Sequence, residues 1–127
     1  VEESKALAGL RHPAVIVSAS GMATGGRVLH HLKNLLPDRR NTVVLAGYQA
    51  GGTRGARLAA GETSLRIFGE DVPVRAEVVA LAGMSAHADA AGLLAWLRTA
   101  PKPPGTVFVT HGEPAPADAL RDRIEHE

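Results

Sequence analysis

Two kinds of hydrophobic spacing alternate along the chain. AVIVSAS (14–20) is a short apolar, β-branched run, the pattern of a strand buried on both faces. RVLHHLKNLL (27–36) instead sets Val28, Leu29, Leu32, Leu35 and Leu36 on one helical stripe, which Pro37 and Asp38 close. NTVVLAGYQ (41–49) reads as a second buried strand, and RGARLAAG as a short helix stopped by Gly61. SLRIFGEDVPVRAEVVALAG (64–83) predicts two or three short strands joined by a GED turn. ADAAGLLAWLRTA (88–100) is a helix carrying Leu93, Leu94 and Leu97, with Trp96 as core or partly buried packing. After the rigid, polar PKPPG connection, TVFVTHGE (106–113) predicts a strand and APADALRDRIEHE (115–127) an amphipathic helix. VEESKALAGLRH opens the chain as a short helix with Leu7 and Leu10 three apart, and Pro13 ends it.

Strands alternating with helices predict an α/β fold with a largely parallel sheet flanked by helices. In such folds functional residues gather at the carboxyl ends of strands. Three polar clusters fall there: SASGMATGG, MSAHAD and VTHGE.

Composition narrows the class. The 127 residues are 45% apolar and 21% charged, the profile of a globular domain rather than a disordered one. Aromatics are only 3%, so the core must be Val, Leu, Ile and Ala. There is no cysteine, which excludes disulfides and thiolate metal sites and is compatible with a cytoplasmic protein. The net charge of +1 neither requires nor excludes nucleic acid, because local patches matter more than the sum. No run is long or apolar enough to span a bilayer, so no membrane partner is expected. The chain opens on Val1 and closes within helix-like RDRIEHE, and so reads as a piece of a longer protein.

Each polar cluster has two readings. Ser18, Ser20, Thr24 and the glycines of SASGMATGGR sit between a strand and a helix. They suit a phosphate cradle at a helix N-terminus, although neither a GK[ST] nor a GxGxxG pattern is present. The plainer reading is a tight turn with a Thr24 cap. His87 can exchange a proton, bind a metal or hold a phosphate, or it is an incidental exposed residue beside a Ser85 or Asp89 cap. His111, at the end of an apolar strand, has Glu113 two residues on to orient it, yet one histidine is not a metal site. His30 and His31 read as solvated helix-surface residues. AGYQAGGTRGARL holds Tyr48, Gln49, Arg54 and Arg57; its arginines suit phosphate or an acidic partner, or the segment is a solvated loop.

Taken in order, VSASGMATGGRVLHHL, LAGYQAGGTRGARL, VPVRAEVVALAGMSAHADAAGLLAWL and VFVTHGEPAPADALRDRI resemble the β-CASP branch of the metallo-β-lactamase superfamily, whose members are zinc-dependent nucleases. The likeness runs from about Pro13 to the end. It implies the latter part of a β-CASP domain at 1–75 and the return segment of the lactamase αββα domain at 76–127. By this resemblance His87 matches motif B. It would contact the scissile phosphate and protonate the leaving oxygen or stabilise its charge. His111 matches motif C and would ligate one of two Zn2+ ions, with Glu113 behind it. Ser18, Ser20, Gly21, Met22 and Ser85 would face the phosphates of single-stranded RNA. HxHxDH and the other N-terminal metal motifs are missing, so this chain would supply one metal ligand and need the N-terminal half of the same protein as partner. The isolated chain would bind zinc weakly and cut nothing. Pairing into a homodimer is a further state the resemblance admits. The rival readings are a non-catalytic RNA-binding or assembly module, and a phosphate-binding domain unrelated to nucleases.

Overall fold

The computed structural model describes every residue except Val1, Arg11, Ala82, Ser85, Ala86, His111 and Glu127. The chain divides into two units, Val1–Ser85 and Ala86–Glu127.

The first unit is organised around Leu36. This residue ends helix α2 (Val28–Leu35), is fully buried, and accepts two backbone N–H bonds on its carbonyl, from Arg75 at 2.8 Å and Ala76 at 2.9 Å. The Asn41 amide donates to the Leu35 carbonyl at 2.9 Å. Carbonyls that a helix end leaves without partners are thereby tied to the next strands. Strand β1 (Thr42–Leu45) pairs in parallel with β4 (Glu77–Ala80), Thr42 opposite Glu77 and Leu45 opposite Ala80. Between them lie helix α3 (Arg54–Ala59) and a hairpin of β2 (Ser64–Ile67) and β3 (Glu70–Pro73). Ala23, Leu29, Leu32, Leu36, Leu45, Leu58, Leu65, Ile67, Val72 and Ala76 form one buried cluster. Each Leu or Ile in it contributes roughly 1.5–3 kcal/mol. A five-residue helix α1 (Glu2–Ala6) and one 3-10 turn (Leu7–Gly9) precede this core, so the opening helix stops before Pro13.

Local chemistry explains the element ends. Thr53 caps α3, its hydroxyl accepting from the Ala56 N–H at 3.1 Å. At the other end Gly61 has φ +80°, and the bonds Gly61 N–H to Leu58 and Glu62 N–H to Arg57 close a glycine-terminated helix. The hairpin turn is Phe68–Gly69, not GED. Both residues have positive φ, 50° and 82°, which matches the twist of a two-residue hairpin, and Glu70 and Asp71 belong to β3. The Phe68 ring lies 4.5 Å from that of His30.

In the second unit Asp89 caps α4 (Ala90–Leu97), accepting from the Gly92 N–H at 2.7 Å. Helix α5 (Pro114–His126) begins on a proline, where the missing N–H costs nothing. Trp96 is 72% exposed, against the expectation of packing. It stands about 200° round the helix from the buried Leu94, on the opposite face.

The α/β class holds, with one parallel and one antiparallel pair of strands among the described residues. Two expected strands do not form among those residues. Residues 13–18 have no regular secondary structure, and Val15 and Val17 are 91% and 93% exposed. Residues 106–110 are likewise irregular, and Phe108 is 81% exposed. Apolar β-branched runs become strands only against a hydrogen-bonded neighbour, and the four strands formed by the described residues pair with one another.

This predicts a sharp contrast in denaturant. Leu65→Ala, at a fully buried site, should cost about 2–5 kcal/mol. Val17→Ser, fully solvated in this chain, should stay within about 0.5 kcal/mol. Equal losses from the two substitutions would contradict the burial described.

Candidate nucleic-acid interface

The segment Ser18–Arg27 links the irregular apolar run to α2. It holds two non-glycine residues in the left-handed region, Ser20 at φ 62° and Ala23 at φ 52°. Such conformations are sparsely populated and persist only where surrounding contacts impose them. Several contacts do so here. The Ala23 N–H donates to the Ser20 carbonyl at 2.8 Å, closing a turn over Gly21 and Met22. The Ser20 and Thr24 hydroxyls lie 3.3 Å apart. Ala23 itself is in the core, while Ser18, Gly21 and Thr24 are exposed and Met22 is half-buried.

The start of α2 is not built as expected. Arg27, rather than Thr24, stands at the cap, and no side chain caps the helix there. The Leu29 and His30 amides are taken by the Gly26 and Arg27 carbonyls, at 3.3 and 3.0 Å. What the segment offers a ligand is the 18–22 turn itself, with exposed Ser18 and Gly21 and half-buried Ser20 and Met22.

That turn is held by the next glycine-rich segment. The Gly55 N–H donates to the Met22 carbonyl at 2.9 Å. A β-carbon on Gly55 would come within 1.6 Å of Gln49 Oε1, which would have to swing aside, and 3.1 Å of the Met22 Cα, which would have to give by a few tenths of an ångström, so glycine suits the approach best. Arg54 donates from Nη1 to the Ala23 and Thr24 carbonyls, at 3.4 and 3.3 Å, and from Nε to the Arg66 carbonyl at 2.8 Å. Gln49 Nε2 turns back to the Gly47 carbonyl at 3.0 Å. Arg57 points elsewhere. Its Nε and Nη2 bond Glu62 at 2.6–2.8 Å and hold that carboxyl below the usual carboxylate range. A recess of about 610 Å³ beside this pair has Arg57 and Arg66 facing Glu62 and Asp71, a mixture of charges that does not select an anion.

The sequence offers Arg54 and Arg57 as contacts for phosphate or an acidic partner, or as part of a solvated loop. Arg54 is instead a donor to the turn beside it. The signal available beforehand was Gly55, a glycine in the first turn of a helix, where it costs about 1 kcal/mol relative to alanine and so signals a close approach. His31, expected to be solvated, is half-buried with Nε2 3.0 Å from the Ser4 hydroxyl.

His87 is exposed and lies in the second unit, two residues before the Asp89 cap. Of the two capping candidates Asp89 therefore caps α4. Ser85 and His111 lie outside the described residues. The Glu113 carbonyl accepts from the Ala117 N–H at 3.0 Å at the start of α5. Zinc needs three or four His, Cys, Asp or Glu ligands around one point. No cysteine exists, and no group of three or more such residues gathers among the described ones. The described residues do not make a zinc site by themselves.

Comparison with known proteins places these features in one family. Residues 1–58 match the Beta-Casp domain, and residues 71–127 match the Zn-dependent metallo-hydrolase RNA specificity domain. The chain belongs to the β-CASP branch of the metallo-β-lactamase superfamily. It is 47% identical over 112 residues to Ribonuclease TTHA0252 of Thermus thermophilus, covering 88% of this chain and 25% of that protein. It is 43% identical over 103 residues to an RNase J-like protein of Methanocaldococcus jannaschii, covering 81% and 24%. With Transcription termination factor FttA of the same archaeon it shares 34% over 106 residues, covering 80% and 17%. The chain thus spans about a quarter of the length of the first two relatives.

The Gly55 contact is open to a double-mutant test. Gly55→Ala should destabilise the chain by about 1–3 kcal/mol through overpacking. Adding Gln49→Ala should return part of that loss, because the two residues share one space. Strictly additive effects in urea denaturation would contradict the close approach.

Proposed function

We propose that this chain is the C-terminal part of a zinc-dependent ribonuclease that hydrolyses RNA phosphodiester bonds. The observation that carries the proposal is the succession, in one chain, of a Beta-Casp match containing SASGM and an RNA specificity match containing SAHAD and THGE. The names of the bacterial and archaeal relatives point the same way. Exposed Val15, Val17, Val107, Phe108 and Val109 are in keeping with a larger sheet completed by other segments.

In this reading the hydroxyls of Ser18, Ser20 and Ser85 and the backbone at Gly21 and Met22 bind phosphate oxygens. Such contacts position a nucleic-acid strand without reading its sequence. His87 acts on the departing oxygen, which an imidazole can protonate because it changes charge near neutrality. His111 is the one zinc ligand this chain supplies to a two-zinc site, with Glu113 orienting it. The remaining ligands come from segments that this sequence does not contain. A cytoplasmic setting belongs to the same proposal.

The test compares two proteins on single-stranded RNA in zinc. The chain alone should leave RNA intact. The longer protein carrying the HxHxDH segment should cut it, and should stop when zinc is chelated. His87→Ala in the longer protein should lower kcat by about 10²–10⁴-fold, while RNA affinity changes only a few-fold. A longer protein that binds RNA without cutting it would favour the non-catalytic RNA-binding module. Full activity in His87→Ala would remove that residue from the reaction.

A further inference from the structure

Arg54 is the first residue of α3, directly after the Thr53 cap. Its guanidinium joins two parts of the first unit. On one side Nε donates to the Arg66 carbonyl in β2, between Leu65 and Ile67, both fully buried. On the other side Nη1 reaches the Ala23 and Thr24 carbonyls, at the end of the turn that contains the left-handed Ser20 and Ala23. Helix α3 is fixed in turn by buried Leu58, by the Thr53 cap and by its Gly61 terminus. The adjacent Gly55 N–H holds Met22 from the same helix turn. A strained turn is thus pinned at three consecutive carbonyls, Met22, Ala23 and Thr24, by two consecutive residues of another segment.

We propose that Arg54 is a positioning residue, which ties the 22–24 backbone to the hairpin and so fixes the shape in which the Ser18–Met22 turn meets RNA. The proposal rests on the reading of that turn as RNA-facing. Arg54 acts through the turn and not on the phosphate, since its Nε and Nη1 are turned to backbone carbonyls. A planar fork reaching three carbonyls is a geometry that guanidinium provides, whereas an ammonium gives charge without the span.

The test uses Arg54→Lys and Arg54→Ala in the longer nuclease, with Arg40→Ala as a control that removes a positive charge elsewhere. Three quantities are read: kcat/KM on RNA, the salt dependence of RNA affinity, and hydrogen exchange at the Ala23 and Gly55 amides. Both Arg54 variants should speed exchange at these amides by about tenfold. Both should lower kcat/KM by about tenfold or more, because small displacements of binding groups cost rate steeply. The salt dependence should keep its slope, and Arg40→Ala should leave the exchange and kcat/KM unchanged. Lysine that restores kcat/KM, or a slope that falls by about one phosphate contact, would make Arg54 a direct electrostatic contact and overturn the proposal. Unchanged exchange in either variant, or faster exchange with full kcat/KM, overturns it as well. Should Arg54→Ala fail to fold, Arg54→Lys alone decides between these outcomes. Unmutated protein that leaves RNA uncut contradicts the proposed function instead, and the exchange rates still report whether Arg54 holds the turn.

Discussion

The hydrogen bond from the Gly55 N–H to the Met22 carbonyl joins two glycine-rich segments more than 30 residues apart in the chain. The shape of the turn before α2 is tied to that approach. The approach favours a residue without a β-carbon at the start of α3, and beside it Arg54 reaches the neighbouring Ala23 and Thr24 carbonyls. The turn it joins holds Ser20 and Ala23 in a backbone region that costs about 1–3 kcal/mol per residue when imposed on a non-glycine. That cost has to be offset by the rest of the fold. Ala23 belongs to the same buried cluster as Leu29, Leu58 and Leu65, whose burial contributes to that offset.

A second constraint governs what the chain leaves exposed. A strand is a pairwise structure, because each edge needs a partner for its N–H and C=O groups. β1 finds β4, and β2 finds β3. The runs at 14–20 and 106–113 have the side chains of buried strands, yet they find no ladder among the described residues and leave Val15, Val17 and Phe108 in water. Their hydrophobicity describes the surroundings that would bury them. Relatives more than three times as long have room for such surroundings.

These two constraints also explain how much could be read from sequence. Helices α2 and α5 were legible to within one or two residues, the first from its leucine stripe and the second from its amphipathic period. Gly61 announced the end of α3 because a left-handed terminus favours glycine. The ordered motifs led to the family. The hairpin turn was not legible: Phe68 is an uncommon residue for a left-handed position, and the more turn-like GED drew attention one residue too far. Trp96 was misjudged because size and hydrophobicity do not say which face of a helix a residue occupies. The role of Arg54 was hidden for a different reason. A long-range bond to a backbone carbonyl has no signature in the identities of the residues whose carbonyls accept it.

The central claim is that the Ser18–Met22 turn is an RNA-facing surface held in shape from behind. The most direct measurement is photo-crosslinking of a short single-stranded RNA to the protein, with the linked peptides located by mass spectrometry. The account predicts crosslinks concentrated within residues 18–24, with others near His87. Crosslinks confined to the 64–73 hairpin or to α5, with none in the 18–24 turn, would contradict it.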